Sequence, residues 1–370
     1  MLHLSVIDLK ILLCFGFAAG ITFFLIPSIV VMANMKSLVA EPNTRTSHKS
    51  SVPNLGGIAI FIGFVISYLL FLNTASFQNF QYIFAALLLI FFIGFKDDIT
   101  VIDPGKKFFG QIVAAWIVIS FGCMRFTSLH GFFGIDQMSL PMSYLVTFIT
   151  IIGITNCFNL MDGIDGLSAG LGIIAAVTFG AWFYYIGDYD WAILAVGLAG
   201  SLASFGYFNV FGNKNKIFMG DTGSLSLGFV IALIAIHFNE KNTDPAAYYF
   251  IRSAPAVSIG ILFVPIFDTL RVFLARLINR GSPFLPDKTH IHHYLLELGF
   301  SHIQSTLILI GAGLFFIFFS YLFKDRSVFL LLVLLLTLGS IATILTIYFV
   351  HRKEKKRLPE LHQPDEQTGE

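Results

Sequence analysis

Charged residues are scarce in this 370-residue chain, at 12% Asp, Glu, Lys and Arg. A soluble globular domain carries about 25%, so the chain cannot cover itself with a water-compatible surface. Cysteine is also sparse. Cys14, Cys123 and Cys157 are odd in number and widely scattered, which excludes a disulfide framework and a zinc cluster of paired cysteines. Low-complexity stretches and internal repeats are absent, so a single domain is expected. The first apolar run has no basic segment before it and no small-residue cleavage site after it, and it is too long for a signal peptide. It reads as a retained first helix.

What the chain has instead is apolar length. Hydrophobic residues make up 56% and mean hydropathy is +0.80. A membrane span needs ~20 predominantly apolar residues. Runs of that kind fall at roughly 7–33, 55–73, 80–95, 108–123, 142–158, 166–186, 191–211, 222–238, 252–277, 304–323 and 328–350. The expected fold is therefore an all-α polytopic membrane protein with about eleven transmembrane helices. Residues 1–350 would form one transmembrane catalytic domain and 351–370 a polar, disordered cytoplasmic tail. Lys and Arg in the loops orient the spans. The odd-numbered loops and the tail carry sixteen, against six on the other side, with Arg271 inside a span. That bias puts the N-terminus outside and the C-terminus in the cytoplasm.

Loop parity then does something that no single motif does. Arg45 and His48, KDD at 96–98, NCFNLMDGIDGL at 156–167, FMGDTGS at 218–224 and DKTHIHH at 287–293 all fall in odd loops. Five polar clusters far apart in sequence face one compartment and suggest one site at one membrane face.

Each cluster has a plain structural reading beside the functional one. Asp97 and Asp98 can simply end a hydrophobic helix; alternatively, adjacent carboxylates near a low-dielectric boundary repel, raising one pKa towards that of a base. Asn156, Asn159 and Asp162 stand three residues apart and can line one helical wall, with Asp165 following and Gly163 and Gly166 allowing a tight turn. An ordinary Asn/Asp/Gly turn is the alternative. In FMGDTGS, Asp221 or Thr222 reads as an N-cap for the run beginning at Leu225. That reading is compatible with phosphate at the helix N-terminus and with Asp221 as a Mg²⁺ ligand. His290, His292 and His293 suit either a transition metal or, beside Lys288 and Arg280, a phosphate. Arg45 and His48 read as an addition to that phosphate site or as a solvated basic loop, and Asp268 with Arg271 as a pair within a transport path.

Together these segments resemble the polyprenyl-phosphate N-acetylhexosamine-1-phosphate transferases, glycosyltransferase family 4. The resemblance runs from about Arg45 to Gly299 through RTSH (45–48), VPNLGG (52–57), KDD (96–98), KKFFGQ (106–111), NCFNLMDGIDGL, FMGDTGSLSLG (218–228), PIFDTLRV (265–272) and SPFLPDKTHIHH (282–293). It implies a Mg²⁺-dependent enzyme, with Mn²⁺ as the alternative metal, of the bacterial inner membrane, with its active site facing the cytoplasm. Asp97 and Asp98 match the acidic pair assigned to the lipid phosphate, and Asp221 the metal ligand. Asn159, Asp162 and Asp165 match the nucleotide-side wall, with Phe218 stacking on uracil. Lys107 matches the basic residue of the third cytoplasmic segment, and His290, His292 and His293 the histidine motif near the pyrophosphate. HIHH followed by Tyr294-Leu295, rather than HHH followed by Phe-Glu, resembles the simple-hexosamine branch. The implied partners are UDP-GlcNAc, undecaprenyl phosphate and the membrane, with no nucleic acid and an oligomer possible. A related UDP-N-acetylamino sugar is the alternative donor, and a secondary transporter the alternative class.

Overall fold

The computed structural model describes residues 5–36, 52–73, 77–278 and 289–357. Helix accounts for 79% of the structure, as expected of a chain whose backbone groups must be satisfied without water. The helices are α1 (Val6–Met35), α2 (Gly56–Phe71), α3 (Phe77–Ile99), α4 (Pro104–Ser120), α5 (Leu140–Met161), α6 (Leu167–Tyr185), α7 (Tyr189–Phe211), α8 (Gly220–Lys241), α9 (Ala254–Ile261), α10 (Phe263–Ile278), α11 (Ile291–Glu297), α12 (His302–Leu322) and α13 (Val328–Arg357). Every expected apolar run coincides with helix. Among the described residues seven helices are long and apolar enough to cross a membrane, or eight if α9 and α10 form one span. Helix α2 is apolar throughout but only 16 residues long.

Helix α8 is the central pillar. Its apolar window is 89% buried, against 22% for α1 and for α13. The segment LSLGFVIALIAIHF is apolar on all faces, the pattern of a helix enclosed by others. Helices α2, α3, α5 and α6 pack around it, and α7, 72% buried over its apolar length, joins α1 to α6.

Three features depart from the expected string of spans. The run 252–277 is broken, with α9 and α10 meeting at 86°. Pro265 lies in the first turn of α10, where its missing N–H costs nothing; a helix continuous with α9 would drive its ring into the carbonyl of Ile261. A two-stranded antiparallel hairpin, β1 (Ser128–Phe132) and β2 (Ile135–Gln137), interrupts the all-α pattern between α4 and α5. Strands of five and three residues are too short for alternation to announce. Finally, α13 continues to Arg357, past the boundary expected at 350. Its basic last turns suit the negative end of a helix dipole.

The contact between α2 and α8 leaves no room for a side chain. A Cβ on Gly57 would stand 2.1 Å from the backbone nitrogen of Gly223. Replacing Gly57 by Ala should therefore destabilise the solubilised protein by about 1–3 kcal/mol, the usual cost of overpacking. Gly16→Ala in α1, which meets nothing within 4 Å, should leave the melting temperature unchanged or higher. Equal melting temperatures for both variants would contradict this packing.

Candidate functional site

The site forms where four chain segments meet at one end of the bundle: the end of α3, the α5–α6 turn, the start of α8, and α11 with the first residue of α12. Residues 52–57 brace the start of α8 and the end of α3. Pro53 O accepts from Phe218 N at 2.8 Å, and Gly56 N and Gly57 N donate to Phe218 O and Met219 O at 2.9 Å each.

Asp98 is the hub. Its carboxylate accepts from the backbone N–H of Asp221 (2.8 Å) and of Thr222 (2.9 Å), from the Thr222 hydroxyl, and from Asn54 Nδ2 (3.3 Å). The expected N-cap is thereby corrected. Helix α8 begins at Gly220, so Asp221 and Thr222 lie within its first turn, and the cap comes from another helix. Two of the N–H groups that the sequence offered to a phosphate are already taken by Asp98. Gly220 makes the approach possible. Its φ is +68°, and a Cβ would stand 2.7 Å from both Asp98 oxygens and 2.0 Å from Asn54 O.

Asp97 has separate partners. Ile102 N donates to it at 2.7 Å and Lys107 Nζ at 3.0 Å. The repulsion expected of adjacent carboxylates is thus answered by two independent sets of donors. Lys107 also binds Asp221 Oδ2, and Asn159 Nδ2 donates to Asp221 Oδ1 at 2.6 Å and to Ser224 Oγ at 2.8 Å. One turn further along α4, Gln111 exchanges hydrogen bonds with Asn156, at 2.7 and 3.4 Å.

These side chains wall a cavity of about 670 Å³ lined by Asp97, Asp98, Asn159, Asp162, Asp165, Phe218, Asp221 and His293. Those are eight of the residues singled out in the sequence. Lys107 reaches the wall through Asp97 and Asp221. Asn156, His290 and His292 are not in the lining: Asn156 faces Gln111, and His290 pairs with Asp268 at 2.8 Å. His292 is buried against Gly163, where a Cβ would stand 2.7 Å from its Nε2. Burial, then the neighbouring His293, pushes His292 down to about 3, so its imidazole is neutral. Arg45 and His48 lie outside the described residues.

Three lining residues with polar side chains carried no assignment in the sequence: Asn54, Asn209 and His302. Asn54 sits within VPNLGG, so a signal existed. Asn209 accepts from Gly166 N at 2.6 Å and donates to Ile217 O at 2.9 Å, holding the left-handed turn at Gly166 (φ +76°). His302 opens α12, 3.9 Å from Asp165, and nothing in its spacing marks it. Lys216 pairs with Asp165 at 2.7 Å and stands 5.9 Å from the Phe218 ring centre.

Among the described residues no three His, Cys, Asp or Glu side chains converge as a self-sufficient metal site. Magnesium asks for less, one or two carboxylates with phosphate oxygens and water completing six-coordination. The hard oxygens of Asp221 and its acidic neighbours at a roomy cavity suit that need and do not suit a closed transition-metal site.

The cavity is thus acidic and stands at one end of a bundle of apolar helices, with amides and an aromatic ring on its walls and an ammonium reaching it through Asp97 and Asp221. The family described as Glycosyl transferase family 4 matches residues 80–239. The chain is 32% identical over 321 residues to the probable undecaprenyl-phosphate N-acetylglucosaminyl 1-phosphate transferase of Bacillus subtilis, covering 86% of each chain. It is 30% identical to the undecaprenyl-phosphate alpha-N-acetylglucosaminyl 1-phosphate transferase of Escherichia coli, covering 76% of each. With the decaprenyl-phosphate N-acetylglucosaminephosphotransferase of Mycobacterium leprae it shares 32%, over 79% of this chain and 78% of that one. The chain belongs to glycosyl transferase family 4.

Asp162, just beyond α5, reports on the electrostatics. Burial, then the charges of Asp221, Asp98 and Asp165, push its carboxyl up to about 8. A carboxyl whose folded pKa is raised holds its proton in the native state, and stability is lost as pH climbs from its ordinary value towards the raised one. Metal-free protein should therefore melt at progressively lower temperature between pH 5.5 and 8.5, and Asp162→Asn should flatten that slope. Parallel pH profiles for the two proteins would remove Asp162 as the cause.

Proposed function

We propose that the protein transfers GlcNAc-1-phosphate from UDP-GlcNAc to undecaprenyl phosphate, releasing UMP and starting a lipid-linked cell-surface glycan of the O-antigen, capsule or teichoic-acid type. The observation that carries the reading is the convergence of Asp97, Asp98, Asn159, Asp162 and Asp221 with Lys107 at one cavity. The relatives' names, polyprenyl-phosphate N-acetylglucosaminyl phosphotransferases over most of their length, support the same donor sugar and acceptor lipid.

On this reading all eleven helical runs cross the bilayer, with the N-terminus outside, the C-terminus in the cytoplasm and the cavity opening to the cytoplasmic face of a bacterial inner membrane. The single transmembrane domain keeps the lipid tail in the bilayer while the nucleotide enters from water. An oxygen of the lipid phosphate attacks the β-phosphorus of the donor. The bond from that phosphorus to the bridging oxygen breaks, UMP departs with the electron pair, and the sugar keeps its C1–O bond.

Phosphoryl transfer depends on positioning and charge neutralisation more than on covalent help. Asp98 accepts from four donors and Asp97 from the Ile102 N–H and the Lys107 ammonium; one carboxylate of this pair takes the lipid-phosphate proton. Lys107 supplies positive charge between donor and acceptor. Asn159 aims Asp221, and Phe218 with Asp165 holds the uracil. His293 faces the diphosphate. Mg²⁺, or Mn²⁺ in its place, would be held by Asp221 and would draw negative charge from the diphosphate. The transporter reading loses its support, because Asp268 and Arg271 are bound to each other and to the segment carrying His290.

Detergent-purified protein given UDP-GlcNAc, undecaprenyl phosphate and Mg²⁺ should release UMP, and chelation should stop it. Asp221→Asn should lose all measurable release while eluting and melting as the parent does; an active Asn variant would take Asp221 out of the mechanism. UDP-GlcNAc should also be turned over in strong preference to UDP-MurNAc-pentapeptide, and equal rates would show that His290–Leu295 does not select the simple hexosamine.

A further inference from the structure

Asp268 and Arg271 stand on α10, outside the cavity lining. Asp268 is 3% exposed, yet three donors converge on it. They are His290 Nδ1 at 2.8 Å, Arg271 Nη2 at 2.8 Å and the backbone N–H of Ile291 at 3.0 Å. Arg271 donates in turn to Thr289 O. Apart from Arg271, every partner belongs to residues 289–291, the start of α11. The 86° break before α10 turns that helix aside and brings Asp268 against this segment.

Helix α11 has seven residues, far below the length at which a helix holds itself in water. Its placement must come from its fastenings. At the far end, Lys353 of α13 donates to the carbonyls of Glu297 (3.1 Å) and Leu298 (2.7 Å), closing the helix C-terminus. Between the two fastenings His292 lies on Gly163 of the acidic turn, and His293 and Leu296 face the cavity. A carboxylate is the group that can accept an imidazole N–H, a guanidinium and a backbone amide together. An amide in its place offers one acceptor oxygen and presents an N–H to a donor.

We infer that Asp268 is a positioning residue for the transfer reaction: through His290 and Ile291 it sets where His293 stands at the cavity. The inference rests on the function proposed above. It predicts that Asp268→Asn acts through His293, with no separate effect of its own. In the full-length purified protein, Asp268→Asn should lower kcat for UMP release by about 10²-fold, the scale of loss for a small misplacement of a reacting group. Affinity for UMP should be unchanged, since the Asp165 and Phe218 wall is untouched. The decisive measurement is the double variant, Asp268→Asn with His293→Ala. It should be no slower than His293→Ala alone, because a group that is gone cannot be misplaced.

Losses that multiply in the double variant would make Asp268 a general structural residue and overturn the inference. So would wild-type turnover in either single variant. If Asp268→Asn elutes as aggregate, Arg271→Gln replaces it; this leaves the carboxylate with His290 and Ile291 while removing the Arg271 donor, its tether to Thr289 and its contact with the Tyr294 ring, and the same non-additivity with His293→Ala is required. Absence of UMP release from the wild-type protein would instead defeat the proposed function itself, whereas an active wild type matched by Asp268→Asn would defeat this inference alone.

Discussion

One carboxylate holds the site together. The first N–H groups of a helix have no partner within it, and at the edge of a bilayer water is scarce and an unpaired donor is costly. Helix α8, the most enclosed span, starts without a side-chain cap of its own. Asp98, at the end of α3, supplies the missing acceptor to Asp221 N and Thr222 N. Much follows from that bond. It requires the positive φ of Gly220, whose missing side chain lets Asp98 close in, and it sits beside the ladder through which residues 53–57 grip Phe218 and Met219. With α8 held there, Asp221 stands within reach of Lys107 from α4 and Asn159 from α5. Three helices distant in sequence thus meet at one acid.

The resulting cavity is strongly negative for something proposed to receive polyanions. Five aspartates line it, and the cations paired with them are Lys107 on Asp97 and Asp221 and Lys216 on Asp165. Burial, then that accumulated charge, pushes the Asp162 carboxyl up to about 8. Such an arrangement disfavours phosphate unless further positive charge enters with it. That is the physical case for a divalent cation arriving with the nucleotide, and it comes from the charge balance of the walls, independently of any relative.

Much of this was legible in the sequence, for a specific reason. Hydropathy reports burial in lipid, so each of the eleven apolar runs fell on a helix. Loop parity reports which end of the bundle a segment occupies, so KDD, NCFNLMDGIDGL, FMGDTGS and the histidines all reached one cavity or its immediate supports. What was hidden depends on partners that no local pattern encodes. The turn at Leu262 shows only as Pro265 within an apolar run. The cap on α8 reads locally as Asp221 or Thr222, whereas Asp98 supplies it from more than a hundred residues away. Asn209 and His302 reach the cavity because of α7 and α12, and neither sits in a patterned stretch.

The histidine motif shows most clearly how a string with one apparent purpose divides in three dimensions. His290 precedes α11 with extended backbone (φ −63°, ψ 148°), so its ring turns back to Asp268. His292 and His293 fall within the helix, about 100° apart around its axis, and so cannot share an environment. One becomes a buried neutral ring behind Gly163 and the other opens to the cavity. An anchor, a spacer and a cavity-facing group therefore occupy four consecutive positions, and the order follows from the helix starting between the first and second histidine. Moving that start by one residue would rotate His293 off the cavity, which is why a carboxylate on a different helix grips the residue at which the helix begins.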